Sequence, residues 1–145
     1  MPLIELSLPT GALEPSTRDA LVADLTTLVL AYQHAPDNEI TRSISWAYVD
    51  ERALYVGGHP ADTPHVRVKL TIPQFALDEE RKEHLVDALT ARVVEALGPG
   101  GDPCNVWVLI DEVTDGNWAG GGRVYHFRDI AALINGGGRR LLPAA

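Results

Sequence analysis

Residues 2–30, PLIELSLPTGALEPSTRDALVADLTTLVL, and residues 66–94, VRVKLTIPQFALDEERKEHLVDALTARVV, are two versions of one passage, and reading them as such decides the fold. Laid over each other at an offset of 64 positions they share Leu6/Leu70, Pro9/Pro73, Ala12/Ala76, Leu13/Leu77, Leu21/Leu85, Val22/Val86, Leu25/Leu89, Thr26/Thr90 and Val29/Val93. Most other pairs keep their character, such as Ile4/Val68, Glu14/Asp78 and Arg18/Lys82. Farther on the offset falls to 61. There Trp46-Ala47-Tyr48-Val49-Asp50-Glu51 lies over Trp107-Val108-Leu109-Ile110-Asp111-Glu112. Each copy then reaches an aromatic residue and glycines, Tyr55-Val56-Gly57-Gly58 and Trp118-Ala119-Gly120-Gly121. An order and spacing kept across four segments marks an internal duplication.

Each copy reads as strand, helix, strand and terminal hairpin. Ile4, Leu6 and Leu8 alternate with Glu5 and Ser7, and Val66, Val68, Leu70 and Ile72 alternate with Arg67, Lys69 and Thr71, the period-two pattern of strands with unlike faces. Pro9 and Pro73 stop those strands. Helices are expected from about Glu14 to Gln33 and from Asp78 to Leu97, on the helical spacing of Leu21, Leu25, Leu28 and Val29 and of Leu85, Leu89, Val93 and Leu97. Asp78 suits an N-cap and Pro15 the first helical position. Second strands are expected at 44–49 and 106–110. A strand, crossover helix and strand in so few residues pair in parallel. The predicted class is therefore α+β: tandem β-α-β units forming a four-stranded mixed sheet with two helices on one face. The chain reads as one domain, 1–145, of two repeats (2–58 and 66–123) with a C-terminal extension, 124–145. In that extension Ile130, Leu133 and Ile134 form an apolar stripe expected to brace a neighbouring subunit, and Gly136-Gly137-Gly138 reads as a flexible joint.

Composition narrows the function. The chain has 145 residues, 46% apolar and 22% charged, with a formal net charge of -8, so nucleic acid and anionic membranes are disfavoured partners. A single cysteine, Cys104, leaves no disulfide framework or thiolate cluster and points to a reducing cytoplasm. No stretch approaches the roughly 18 apolar residues of a membrane span. The five histidines lack the spacing of a zinc site, so no metal is expected. The helix-free face would carry Trp46, Tyr48, Trp107 and Leu109, too apolar for water alone, and another subunit is expected to cover part of it.

A chain that opens Met-Pro-Leu-Ile-Glu-Leu and ends its second repeat in Val-Trp-Val-Leu-Ile-Asp-Glu-Val-Thr-Asp-Gly-Asn-Trp-Ala-Gly-Gly-Gly resembles the tautomerase superfamily over about residues 2–123. The second-unit ending is similar to that of 4-oxalocrotonate tautomerase. The doubled length resembles macrophage migration inhibitory factor and cis-3-chloroacrylate dehalogenase. The resemblance implies a homotrimer with sheets inside and helices outside, acting on a small molecule through an amino-terminal proline bared when the initiator methionine is removed. That proline is Pro2. A secondary amine kept neutral by burial is a general base for a carbon acid, and its conjugate acid returns the proton at another carbon. The implied activity is a cofactor-independent keto-enol tautomerase on a small enol or keto acid. The alternatives are a hydratase or dehalogenase on an unsaturated acid, and a trimeric binding or scaffold protein without catalysis.

By position in the family pattern, Trp107 and Trp118 become aromatic walls. Arg67, on the helix-free side of its strand, is the cation chosen to bind the substrate oxygen. Lys69 is expected to pair with Glu5. Arg42 and Arg123 stay open between a site and the surface. Ala12, Ala76, Trp46 or Trp107, and Val29 stand where relatives carry arginines or a histidine, so no relative's specific activity carries over.

Overall fold

The computed structural model describes residues 1–136. Strand β1 (Leu3–Pro9) leads into helix α1 (Pro15–Tyr32), a short helix α2 (Glu39–Ser43), strand β2 (Trp46–Arg52) and the hairpin β3 (Tyr55–Val56) and β4 (His59–Pro60). The second unit repeats the plan with β5 (Val66–Pro73), α3 (Glu79–Leu97), β6 (Val106–Val113) and the hairpin β7 (Trp118–Gly120) and β8 (Arg123–Tyr125). Helix α4 (Phe127–Ile134) follows. The four long strands form one mixed sheet in the order β2-β1-β5-β6. Its central pair, β1 and β5, is antiparallel, and each is flanked by its own unit's second strand in parallel.

Alternation along the strands sorts the faces. Ile4, Leu6, Leu8, Val66, Val68, Leu70 and Ile72 are buried with Leu21, Leu25, Val29, Leu85, Leu89 and Val93 of α1 and α3, giving one core between sheet and helices. Burial of that apolar set is the main force holding the units together. Pro15 takes the first helical position of α1, and the Asp78 carboxylate accepts the Arg81 N–H at 2.8 Å to cap α3. The opposite face carries Trp46, Tyr48, Trp107 and Leu109, which are 61%, 57%, 70% and 42% exposed. The two unlike faces thus stand as the alternation requires.

Three expectations need correction. The second strands are Trp46–Arg52 and Val106–Val113, not 44–49 and 106–110. The first begins late because α2 intervenes: the Asn38 side chain caps it through the Thr41 N–H at 2.9 Å, and Ile44 is its C-cap. Helix α1 stops at Tyr32 rather than Gln33 because His34, at φ 52°, turns the chain left-handed and lets the Ala35 N–H reach back to the Leu30 carbonyl. The apolar stripe of α4 is not free to brace a neighbour: Ile130 and Leu133 are buried within their own chain. Helix α4 packs on α2, and the Asn38 amide donates to the Ile134 carbonyl at 3.1 Å. Most of the glycine joint, with the tail beyond it, lies outside the described residues. No described helix is long and apolar enough to cross a membrane.

Candidate functional site

The duplication gives the sheet two comparable ends. At one, β1 begins: Pro2 is buried, and its carbonyl accepts the backbone N–H of Trp46 at 3.1 Å. Because β1 and β2 are parallel, α1 must return to this end before β2 can start. Leu3 pairs with Thr71 near the close of β5, and β6 runs beside β5, so the chain also leaves β6 here on its way to Trp118. Pro2 and Trp118 therefore belong to the same end of the molecule.

Burial dominates the electrostatics at this end. The Met1 α-amino group is pushed down from its ordinary 8.0 to about 6 because the recess strips water from its charged form. Among the described residues, three buried side-chain polar atoms have no hydrogen-bond partner: Gln33 Nε2, Thr41 Oγ1 and Tyr125 Oη. All three lie in segments that gather here. Gln33 closes α1; Thr41, whose carbonyl accepts the Ser45 hydroxyl, sits just before Trp46; and Tyr125 pairs with Trp118 across the hairpin. Trp46 itself was not among the expected site residues. It pairs with Leu3, stands on the helix-free face, and donates its indole N–H to the Ser43 carbonyl at 3.2 Å. The available signal was its match to Trp107 across the repeat.

Arg67 and Trp107 lie at the other end. Arg67 pairs with Ser7 on one side and Trp107 on the other, and its guanidinium donates to Ser7 Oγ at 3.0 Å. Ser7 is five residues along β1 from Pro2, about 17 Å at strand spacing. Within one chain the structure thus puts Pro2 and Trp118 at one end of the sheet and Arg67 and Trp107 at the other. The second pair lines a cleft of about 560 Å³ with Ser7, Arg52, Tyr55 and Val66.

The other cations are engaged. Lys69 holds Asp111 at 2.9 Å and Glu5 at 3.8 Å, which raises its pKa, first through the hydrogen bond to Asp111. Arg42 is clamped by both oxygens of Asp37 at 2.6 and 2.7 Å, so it is a structural surface residue. Arg123 lies 5.2 Å from the centre of the Tyr125 ring and anchors its own hairpin. His126 Nδ1 is 3.3 Å from Asp115, whose carboxylate also receives the Phe127 N–H at the start of α4. Among the described residues no group of three His, Cys, Asp or Glu side chains is gathered as a metal site requires.

The family described as tautomerase enzyme matches residues 64–128, the second unit. No curated protein matches the chain. Among solved structures, the chain is similar to a member of the cis-3-chloroacrylic acid dehalogenase family at 23% identity, with 84% of this chain and 82% of that one covered and a TM-score of 0.69. It is similar to a native fused 4-OT at 21% identity, covering 84% and 94%, with a TM-score of 0.66. It is also similar to the macrophage migration inhibitory factor of Toxoplasma gondii at 17% identity, covering 85% and 99%, with a TM-score of 0.68. At these identities the likeness speaks for the fold.

Proposed function

We propose that this chain, a long two-unit member of the tautomerase superfamily, is a cofactor-independent tautomerase whose general base is the amino-terminal nitrogen of Pro2 after loss of Met1. The observation that carries the reading is the burial at the start of β1, where Pro2 is buried and where loss of water pushes the Met1 α-amino group down to about 6. An amine so placed is mostly neutral at pH 7 and holds its lone pair for a proton. It takes a proton from a small enol or keto acid and, as the ammonium, returns it at the neighbouring carbon. The secondary amine stays bonded to its ring throughout and no group is transferred. Trp118, on the hairpin leaving the sheet at this end, is the aromatic wall.

Arg67 and Trp107 enter the same site only when a second copy brings them, because their own chain holds them at the far end of the sheet. A closed homotrimer built on the helix-free face is the arrangement we propose for this, and the exposed Trp46, Tyr48, Trp107 and Leu109 support it. The small-molecule substrate, the cytoplasmic setting and the absence of a cofactor belong to the same proposal.

The test is turnover of enolised phenylpyruvate by wild type and Pro2→Ala. The variant is expected to lose at least about a hundredfold in rate, the usual scale of a general base, with its sedimentation unchanged. Equal rates refute the reading. Intact mass separates the alternative, a binding protein without catalysis. That alternative is favoured by the alanines Ala12 and Ala76 in the turns after β1 and β5, and a native chain keeping Met1 would have an amide, not an amine, at Pro2.

A further inference from the structure

We propose that Phe75 is a specificity-determining residue of the Pro2 site. Its ring, held on a strained turn beside the start of β1, receives a flat uncharged group of the substrate and leaves no place there for a second carboxylate. The inference rests on the tautomerase reading and concerns the part of the substrate which that reading leaves open.

The duplication supplies the comparison. The turns after β1 and β5 align residue for residue, Thr10-Gly11-Ala12 over Gln74-Phe75-Ala76, and the middle residue of each is left-handed, Gly11 at φ 74° and Phe75 at φ 67°. Both turns close with the same bond, from the Ala12 N–H to the Pro9 carbonyl at 3.0 Å and from the Ala76 N–H to the Pro73 carbonyl at 3.1 Å. Glycine takes that backbone freely, whereas a bulky residue is strained in it. A Cβ added at Gly11 would meet nothing within 4 Å, so glycine serves there for its backbone and not for want of room. Nor does packing offset the strain at Phe75, whose side chain is 79% exposed. A strained residue that is hardly packed is kept for what its side chain meets.

The surrounding groups hold the strained turn in place. The Gln74 N–H donates to the Val113 carbonyl at 2.8 Å. The Arg81 guanidinium donates to the Asp78 carboxylate at 2.9 Å, the Tyr32 carbonyl at 3.2 Å and the Ala76 carbonyl at 3.4 Å, tying the turn to the ends of α1 and α3. The matching residue of the first copy is Thr17, which has no guanidinium. Position completes the argument. Leu3 pairs with Thr71, two residues before the end of β5, and Val113 closes the strand that leads to Trp118, so Phe75 belongs to the Pro2 end. Gly11 follows β1 at the Val66 end, where no terminal amine stands. The ring is therefore present on the one copy of the turn that adjoins the proposed base. The cations in the first turn of α3 are taken, Arg81 as above and Lys82 by Glu79 at 3.1 Å and Glu112 at 3.2 Å. An exposed ring without a spare cation beside it suits a flat apolar group and offers nothing to a carboxylate.

Phe75→Gly tests this on the whole protein. Its urea midpoint should rise, since the strain goes and little packing is lost. Its kcat/KM on enolised phenylpyruvate should fall roughly three- to tenfold through KM, the scale of an aromatic contact, while that on enolised oxaloacetate, a dicarboxylate, stays as in wild type. Phe75→Tyr, which keeps the ring, should keep the wild-type ratio of the two. Calorimetry with 3-phenylpropionate, which has no keto group and cannot react, should show the same three- to tenfold loss in Phe75→Gly. Equal 3-phenylpropionate affinity in the two proteins, an equal fall for both enols, or a lower urea midpoint would each overturn the proposal. So would a variant that sediments as a smaller species, since Phe75 would then be a subunit contact. Calorimetry needs no turnover, so a wild type that binds the acid yet leaves the enol unchanged sinks the tautomerase reading while the role of Phe75 in binding is still decided.

Discussion

Lowering the pH tests the recess at the start of β1 most directly. The terminal amine there has a folded pKa of about 6 against an ordinary 8.0, with desolvation as the cause. In the proposed function the base is the nitrogen of Pro2, itself buried, and desolvation is expected to lower its pKa in the same direction. At pH 7 an amine of pKa 6 is about nine-tenths neutral and one of pKa 8 about one-tenth, so enclosure multiplies the usable base roughly tenfold. The value of kcat/KM on enolised phenylpyruvate, followed from pH 5 to 9, should rise with pH and reach half its plateau below the ordinary value of an exposed terminal amine. The same shift acts on stability. Between pH 6 and 8 the unfolded amine holds a proton that the folded one has released, so stability rises with pH across that window. The contribution is complete above 8 and lost as pH falls through 6, a difference of about 3 kcal/mol for two pKa units. Urea midpoints at pH 5.5 and 8.5, compared with those of a chain acetylated at its terminus, isolate it from the carboxylates. A rate profile with its half-point at 8 or above would mean that the nitrogen sits in open water, and the reasoning from burial would fail.

Other parts of the structure make separate predictions. Leu70 is fully buried at the centre of the sheet, and Leu70→Ala should cost about 2–5 kcal/mol by urea unfolding, the range for a leucine deleted from a packed core. Leu109, 42% exposed on β6, pairs with Lys69 across the sheet, so a carboxylate there meets a cation of its own chain. Leu109→Glu should therefore keep the far-UV spectrum of wild type yet sediment as a smaller species at the same concentration. A mutant that sediments like wild type would exclude this face from the subunit contact.

What the sequence made legible, and what it hid, follows from where the information is stored. The alternation in Ile4-Glu5-Leu6-Ser7-Leu8 and its copy is a local signal, and the strands, helices and four-stranded sheet stand where it places them. Asp78 and Pro15 are equally local: Asp78 caps α3 and Pro15 takes the first helical position of α1, as expected. Helix α2 escaped notice because it is a five-residue helix in the one repeat whose connection is three residues longer, capped by Asn38 and too short to show a period. The stripe of α4 was visible, but its partner was not: whether Ile130 faces a neighbour or α2 depends on contacts far apart in the chain. The grouping of site residues likewise depends on contacts beyond one chain. Pro2, Arg67, Trp107 and Trp118 look alike as one set of chemically apt residues, yet an antiparallel centre sends the start of β1 and the start of β5 to opposite ends of the sheet. The repeat contained that answer once register was added, since a duplication about an antiparallel pair must produce two ends and two recesses. Only one of them receives the chain terminus. A base of the proposed kind, which needs a free terminal nitrogen, can therefore stand at Pro2 but not at Val66, an interior residue whose nitrogen is an amide.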